Sequence, residues 1–244
     1  MRFSLSVAVV AFASLVSGQT VLTGAFDCLT EGVYTLCQNQ WGASAGVGSQ
    51  NSTLFSTSGN EISWATNWTW ANNPNNVKTY ANILHNTAKG MQLSQITTAP
   101  TAWTWTYLEE SQGIRADVSY DIWFGEAQSG TPATSASSYE IMIWLSGLGG
   151  IQPVGHQIVS DLSIAGQTWN LWNGPNANWQ VFSFVVSSGE IRDFSADLND
   201  FFQYLIENQG VASTQFLQAI QTGTEPFVGS ADLFIESFSA EVNV

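Results

Sequence analysis

The feature that most constrains the fold is the regular alternation of short apolar runs with turn-forming residues. Gly, Asn, Ser and Thr interrupt the chain about every ten residues, and the runs between them are rich in β-branched and aromatic residues. This spacing is typical of many short antiparallel strands in a sandwich or barrel. The candidate strands are residues 60–70, 103–107, 114–124, 139–145, 152–158, 167–172, 179–186, 216–223 and 231–242.

One segment, residues 195–210, has helical instead of strand periodicity. Its large apolar residues recur three and four positions apart: Leu198, Phe201, Phe202 and Leu205. Ser195 is the expected N-cap, Asp197 suits the positive end of the helix dipole, and Gly210 is the expected C-terminal glycine. The sequence therefore predicts one amphipathic helix packed on a β-sandwich.

The first residues have the pattern of a secretory signal peptide. Arg2 provides a positive start, residues 5–15 are apolar or small, and Val16 and Gly18 are small enough for a cleavage site. A membrane anchor needs about 20 apolar residues, and Gln19 interrupts the run too early. No linker, repeat or low-complexity tract divides the remainder. We therefore expect residues 1–18 to be a signal peptide and residues 19–244 a single domain.

The chain is strongly acidic, with 19 Asp and Glu against 5 Lys and Arg and a formal net charge of −14. Such a charge repels nucleic acids and anionic membrane surfaces, which argues against both as partners. A neutral polymer meets no such repulsion.

Cys28 and Cys37 are the two cysteines, and in an oxidising compartment the expectation is a disulfide between them. With two cysteines and two distant histidines, no metal-ligand spacing is present, and we expect neither a metal nor another cofactor. Asn51 and Asn67 begin N-glycosylation sequons, which are compatible with secretion.

Two candidate strands combine an apolar face with a face that carries carboxylates. In residues 138–145, alternation places Glu140 on the same face as Met142 and Trp144, opposite a row of Ile, Leu and Tyr. In residues 117–124, Asp117 and Asp121 share a face with Ser119 and Trp123 in the same way. If the two strands are neighbours, Asp121 lies against Glu140, and the two carboxyls titrate jointly. This pattern predicts the floor of a cleft.

Glu225 is a third candidate carboxylate, held by Pro226 in extended geometry next to Phe227. An apolar neighbour favours the protonated carboxyl and suits a general acid. Taken alone, however, a Glu before Pro at a strand end is more typical of a solvated turn.

Glycosidic bond hydrolysis uses two carboxyl groups, whereas other catalytic arrangements are poorly represented. The two histidines lack a nucleophile elbow, and no Gly-rich phosphate loop follows a strand. The eleven tryptophans include pairs and triplets at strand spacing. Most are expected in the core, while some suit stacking on the apolar faces of sugar rings.

At these residues the sequence resembles glycoside hydrolase family 12, the fungal endoglucanases and xyloglucanases. The segments that carry the resemblance follow one another in the family's order: 39–42, 76–82, 119–121, 139–145, 173–174, 180–184, 201–205 and 223–227. The most specific are Tyr-Glu-Ile-Met-Ile-Trp-Leu around Glu140 and Gly-Thr-Glu-Pro-Phe around Glu225.

The resemblance implies an all-β jelly-roll sandwich of two antiparallel sheets with a concave groove. It implies an endo-acting retaining hydrolase of β-1,4-glucan, with Glu140 as nucleophile, Glu225 as acid/base and Asp121 supporting Glu140. The carboxyls of the two glutamates are then expected ~5–5.5 Å apart. The residues implied to contact sugar are Asn39, Trp41, Met142, Trp144 and Asn173. The resemblance also implies a secreted monomer that acts on a polysaccharide.

The sequence departs from the family in its N-terminal cysteine pair. The family commonly joins the first cysteine to one that follows a Gly-Ser-Gln segment, but here Asn51 follows Gln50 and the second cysteine is Cys37.

The alternatives to a β-1,4-glucanase are a xylanase of the related jelly-roll family and a non-catalytic glucan-binding or wall-loosening module. The first fits the motifs at Glu140 and Glu225 less well, and the second does not require both carboxylates.

Overall fold

A computed structural model describes residues 19–244, and the predicted signal peptide, residues 1–18, lies outside them. Most of the described chain is β-strand, as the spacing of its apolar runs and turn residues predicts. Its strands are β1 (Thr20–Leu22), β2 (Cys28–Glu31), β3 (Tyr34–Cys37), β4 (Val47–Ser58), β5 (Glu61–Ala71), β6 (Ala81–His85), β7 (Pro100–Glu110), β8 (Arg115–Gly125), β9 (Tyr139–Leu148), β10 (His156–Ile164), β11 (Gln167–Asn176), β12 (Trp179–Val186), β13 (Asp193–Asp197), β14 (Phe216–Thr224) and β15 (Pro226–Ala240).

The strands form two sheets that share β15. The first sheet has the order β1-β4-β5-β15-β7-β13, and the second has the order β10-β11-β12-β9-β8-β14-β6-β3-β2. Strand β15 begins beside β8 in the second sheet and then continues between β5 and β7 in the first. All neighbours are antiparallel except β9 and β12, which pair in parallel. This is the two-sheet sandwich predicted from the sequence.

Aromatic side chains from the inward faces of both sheets fill the core. Trp103 of β7 and Tyr120 of β8 make an edge-to-face contact with ring centroids 5.1 Å apart. Edge-to-face contacts of this kind contribute about 0.5–1.5 kcal/mol beyond the area they bury. The tryptophans of β5 and β7 are buried as expected, and they are Trp64, Trp68, Trp70, Trp103 and Trp105.

The predicted helix is present as α1 (Leu198–Gln209), and its apolar side packs under β8, β11 and β12. Phe202 lies 5.1 Å from Phe124, and Phe201 lies 5.1 Å from Phe184. The expected N-cap is wrong, because Ser195 is still paired with β7 and the cap is Asp197. The Asp197 carboxylate accepts a hydrogen bond from Asn199 N at 2.9 Å.

Two further expectations concern where elements begin and end, and one of them is confirmed. Gly210 ends the helix in the left-handed conformation, as predicted, with φ of 73°. The strand expected at 152–158 instead runs from His156 to Ile164, because residues 151–155 form the irregular connection from β9. Gly155 in that connection has φ of 89° and lies against the Asn173 backbone, where no side chain fits.

The predicted disulfide joins Cys28 and Cys37, which face each other on β2 and β3. It closes a hairpin at the edge of the second sheet. Among residues 19–244, no helix has both the length and the apolar character needed to cross a bilayer.

Candidate active site

The outward face of the second sheet carries a group of carboxylates on β8 and β9. We call it the carboxylate face, defined by Asp117, Asp121 and Glu140. Strands β8 and β9 are neighbours, with Trp123 opposite Glu140 and Asp121 opposite Met142. The alternation predicted from the sequence is confirmed, since Ile141 and its partners at every second position are in the core.

Beside the carboxylates, the same face has a small apolar cluster of its own. Its buried members are Met142, Trp144, Ile151, Val181 and Phe227. This cluster packs against the strands that carry the carboxylates and is separate from the main core.

Glu140 is half-buried and is approached by two side chains beyond β9. Trp179 Nε1 donates to Glu140 Oε2 at 2.6 Å, and the nearby Asn176 side chain also lowers the pKa of this carboxyl. Asn176 and Trp179 face each other across the β11–β12 turn, and β12 lies next to β9. Burial raises the pKa of Glu140, and the two donors oppose that rise because they stabilise the ionised form.

Asp121 lies diagonally across from Glu140 and is buried. Burial raises the pKa of Asp121 well above its usual range, and the charge of Glu140 raises it further. The predicted joint titration of these two carboxyls therefore has a physical basis, because two adjacent anions in a desolvated site repel each other.

Glu225 lies between β14 and β15, at the point where the chain leaves the second sheet for the first. Its backbone N–H donates to Asp117 Oδ1 at 2.9 Å. Burial raises the pKa of Glu225 well above its usual range, and the charges of Asp117, Glu140 and Asp121 add to the rise. The solvated-turn interpretation of Glu225 does not fit a carboxyl in these surroundings.

A buried lysine holds the chain immediately after Glu225. Lys78 Nζ donates to the carbonyl oxygens of Phe227 at 2.9 Å, Asn76 at 2.6 Å and Asn73 at 2.9 Å. Desolvation lowers the pKa of Lys78. Lys78 N also donates to Pro226 O at 3.0 Å, so the segment before β6 positions the start of β15.

The residues expected to contact sugar occupy different environments. Trp41 is exposed, with 54% of its surface accessible. Asn39 O accepts from Tyr80 N, and the Tyr80 hydroxyl lies among the four carboxyls and donates to Ser119 O at 3.1 Å. Met142 and Trp144 lie on the carboxylate face but are nearly buried in its apolar cluster.

Asn173 lies on the other side of the second sheet from Glu140. It pairs with Phe182, which is a core residue, and its Nδ2 donates to Val181 O at 3.0 Å. Asn176, three residues further along β11, is the asparagine whose side chain affects the pKa of Glu140. The sugar contact that the resemblance implies for Asn173 stays a prediction.

Four residues of the site received no role from the sequence, and they are Asp117, Tyr80, Asn176 and Trp179. The sequence gives some indication of a role for Asp117, because strand alternation places it on the carboxylate face. Asn176 and Trp179 had none, because their approach to Glu140 depends on the parallel pairing of β9 and β12.

A polar depression of about 530 Å³ adjoins the start of β9. Its lining includes Ser138, Asn178, Gln180, Gln215 and the carboxylate of Glu126, while Asp117, Asp121 and Glu140 are not part of it. Hydrogen-bonding side chains of this kind suit a hydroxyl-rich ligand.

Glu140 accepts an indole hydrogen bond, and Glu225 lies among further carboxyls that raise its pKa. A pair of carboxyls in such different surroundings suits the acid–base chemistry of glycoside hydrolysis. The model of glycosyl hydrolase family 12 matches residues 32–243. The chain belongs to this family, which confirms the resemblance seen in the sequence.

Relatives and solved structures match over nearly the whole chain. The xyloglucan-specific endo-β-1,4-glucanase A of Aspergillus aculeatus is 41% identical, covering 99% of this chain and 100% of its own. The Emericella nidulans enzyme of the same name is 39% identical, covering 98% of both chains. The crystal structure of the Humicola grisea Cel12A catalytic domain, with a soaked thio-cellotetraose, superposes with a TM-score of 0.86. It has 36% identity and covers 92% of this chain and 99% of that one. Trichoderma harzianum endoglucanase 3 superposes with a TM-score of 0.86 at 34% identity, covering 94% and 100%.

Proposed function

We propose that this protein is a secreted, endo-acting, retaining β-1,4-glucanase in which Glu140 is the nucleophile and Glu225 the acid/base. The observation that carries the role assignment is the difference between the surroundings of the two glutamates. Glu140 accepts a hydrogen bond from Trp179 and lies near the Asn176 side chain, and both favour its ionised form. Glu225 is surrounded by other carboxyls, which favour its protonated form.

The proposed reaction proceeds by two displacements. In the first, the Glu140 carboxylate attacks the anomeric carbon while Glu225 gives its proton to the departing glycosidic oxygen, which leaves a glycosyl-enzyme. In the second, Glu225 takes a proton from water as that water attacks the anomeric carbon and releases Glu140. Asp121 stays protonated beside Glu140 and limits the repulsion that a further negative charge would cause. Retention also requires the two carboxyls to lie ~5–5.5 Å apart.

The substrate proposed is a plant cell-wall glucan with a β-1,4 backbone, with xyloglucan preferred. The support for xyloglucan is the identity of 39–41% to enzymes named as xyloglucan-specific. Trp41 is proposed to stack on a sugar ring, with Asn39, Met142 and Trp144 shaping the nearby surface. The protein is proposed to act as a monomer after loss of residues 1–18. Reducing-sugar release from xyloglucan, unbranched β-glucan and xylan tests the substrate, and xylan as the best substrate would favour the xylanase alternative.

Replacement of each glutamate tests the two roles separately. Glu140→Ala removes the nucleophile, and azide should restore turnover with a product of inverted configuration, because a single displacement remains. Glu225→Ala should lose far more activity on polysaccharide than on aryl glycosides with acidic phenols, because only the former need protonation. Azide should rescue that variant with retained configuration.

The opposite stereochemical pattern would reverse the two roles. Activity losses below about tenfold in both variants would remove the pair from catalysis, because general acid–base assistance is typically worth ~10²–10⁴.

A further inference from the structure

The polar depression at the start of β9 has no part in the proposed reaction, although it lies next to residues that do. Ser138, which lines it, precedes Glu140 by two residues. Asn178, which also lines it, directly precedes Trp179, whose indole donates to Glu140. Two residues of extended chain span at most ~7 Å. The depression therefore begins a short distance from the proposed nucleophile.

The depression extends around the ends of the strands and away from the carboxylate face. Tyr139 of β9 and Gln180 of β12 line it, and they are cross-strand partners. Because Tyr139 directly precedes Glu140, alternation turns this pair to the opposite face of the sheet. A glucan backbone that lies across the carboxylate face does not enter such a space. A group that leaves the backbone sideways, near Glu140, can enter it.

One wall of the depression is a loop that a single buried side chain holds in place. The loop, residues 126–138, connects β8 to β9. Gln218 Nε2 donates to Ala127 O at 3.1 Å and to Ala136 O at 3.0 Å, and Gln218 Oε1 accepts from Ser137 Oγ at 3.2 Å. These bonds fix both ends of the loop. The wall is therefore formed before a ligand arrives, which reduces the entropy that binding costs.

The lining shows which kind of ligand fits. Among residues 19–244, those that line the depression include Glu126 but no Lys or Arg, so an anionic ligand meets no counter-charge. The amide and hydroxyl side chains both donate and accept hydrogen bonds, as a sugar hydroxyl does. The volume of about 530 Å³ lies in the range of small-molecule sites, ~300–1,000 Å³. A neutral monosaccharide unit meets these conditions.

Gln215 provides a second, independent indication of a ligand. It lines the depression and is only 7% exposed. Its amide oxygen is buried and accepts no hydrogen bond from the part of the chain that the structure describes. A buried acceptor without a donor costs free energy, and a ligand hydroxyl in the depression would supply the donor.

We propose that the polar depression is a subsite for a branch sugar, the xylosyl unit carried on O6 of a backbone glucosyl unit near Glu140. The proposal rests on the substrate class proposed above. An unbranched β-1,4-glucan has only a hydroxyl group at that position and leaves the depression to solvent. The depression thus adds binding energy for a branched chain alone, and it makes Gln180 and Gln215 specificity residues.

Gln180→Ala tests the subsite with little risk to the fold. Gln180 is exposed, and its backbone keeps the pairing with Tyr139 whatever side chain it carries. Loss of one neutral hydrogen bond to a sugar hydroxyl should lower kcat/KM on xyloglucan about 3- to 10-fold, mainly by raising KM. On an unbranched mixed-linkage β-glucan, kcat/KM should stay within about twofold, because that substrate places nothing in the depression.

The matched control is Gln167→Ala, which removes a glutamine side chain from the opposite end of the same part of the sheet. Gln167 begins β11, and its neighbour Trp169 pairs with Val186, six residues beyond Gln180. The two glutamines are thus roughly 20 Å apart along the strands. This variant should leave kcat/KM on both polysaccharides unchanged.

A binding measurement covers the case in which a step other than binding limits hydrolysis. The ligands are cellotetraose and the same tetrasaccharide with xylosyl branches, and Glu140→Gln prevents their cleavage. In calorimetry this variant should bind the branched ligand more tightly than the unbranched one. Adding Gln180→Ala should raise Kd for the branched ligand about 3- to 10-fold and leave Kd for cellotetraose in place.

An equal loss on branched and unbranched substrates would overturn the proposal, because Gln180 would then act on the backbone or on the fold. Unchanged kcat/KM and Kd for the branched compounds would overturn it as well. If the unaltered enzyme hydrolyses xyloglucan and Gln180→Ala does not change its preference, the proposed function stands and only the branch subsite falls. If the unaltered enzyme hydrolyses neither polysaccharide, both proposals fall.

Discussion

Replacing Trp179 by Phe isolates the hydrogen bond that favours the ionised form of Glu140. The Trp179 N–H donates to Glu140 Oε2 at 2.6 Å, and the indole ring contacts Trp123 edge-to-face at 5.2 Å. A phenyl ring keeps an aromatic contact with Trp123 and removes only the donor. The variant therefore perturbs the electrostatics of the nucleophile with little change in packing.

The magnitude follows from the charge on the acceptor. A hydrogen bond to an ionised group contributes about 1.5–3 kcal/mol, which corresponds to ~1–2 pKa units for Glu140. Because Trp179 is only half-buried, water can replace part of the lost interaction, so we expect a rise of about one unit. The nucleophile must be ionised, and the acidic limb of kcat/KM should therefore move to higher pH by the same amount.

The assay is the pH dependence of kcat/KM on a soluble β-glucan, with Trp105→Phe as the control. The Trp105 indole donates to Ile191 O at 3.0 Å, so this variant loses an indole hydrogen bond that none of the proposed catalytic carboxyls accepts. It should lower thermal stability and leave the acidic limb unchanged. If the acidic limb in Trp179→Phe stays within about 0.3 pH units of the original, the reasoning is refuted. The Trp179 hydrogen bond would then contribute less than ~0.4 kcal/mol to the preference of Glu140 for its ionised form.

Three other substitutions or treatments have expected outcomes. Cys28 and Cys37 should not react with an alkylating agent before reduction, and reduction should lower the free energy of unfolding by about 2–3 kcal/mol without loss of the fold, as followed by thermal melting. Gly223→Ala should lower both Tm and kcat, because a Cβ there overlaps the Ala81 carbonyl oxygen of β6 and pushes β14, which leads to Glu225, out of place. A stable and fully active variant would contradict this. Trp41→Ala should raise KM on glucan about two- to tenfold with kcat unchanged, in line with the ~0.5–1.5 kcal/mol of an aromatic contact. An unchanged KM would place Trp41 outside the binding surface.

The sequence predicts the faces of the strands better than their ends. Alternation correctly placed Ile141 and Ile143 in the core, because a period of two follows directly from strand geometry. The sequence pattern predicts a strand from residue 152, because the apolar residues there resemble one. The structure has a connection there instead, since the left-handed conformation of Gly155 depends on its contact with β11. The sequence also predicts Ser195 as the helix cap, because the pairing of Ser195 with β7 is a long-range contact that local preferences do not contain.

The sequence predicts the carboxylates of the site but not most of the residues that contact them or shift their pKa values. Glu140, Asp121 and Glu225 belong to recognisable motifs, and alternation alone places the first two on one face. Alternation places Asp117 on the carboxylate face but does not indicate its contact with Glu225, and Tyr80 has no local signal at all. The contribution of both residues depends on their burial near Glu225. Burial of a polar side chain depends on which strands become neighbours, and the spacing of residues along one strand does not specify that.

The different surroundings of Glu140 and Glu225 originate in the topology of the second sheet. Strand β9 has an antiparallel neighbour, β8, which contributes further carboxyls, and a parallel neighbour, β12, whose approach brings Trp179 and Asn176 to Glu140. Glu225 arrives from the opposite side of β8, where Asp117 is its immediate contact. A hydrogen-bond donor therefore approaches the proposed nucleophile, and further carboxyls surround the proposed proton donor. The roles proposed for the two glutamates thus depend on the order of the strands as well as on the residues themselves.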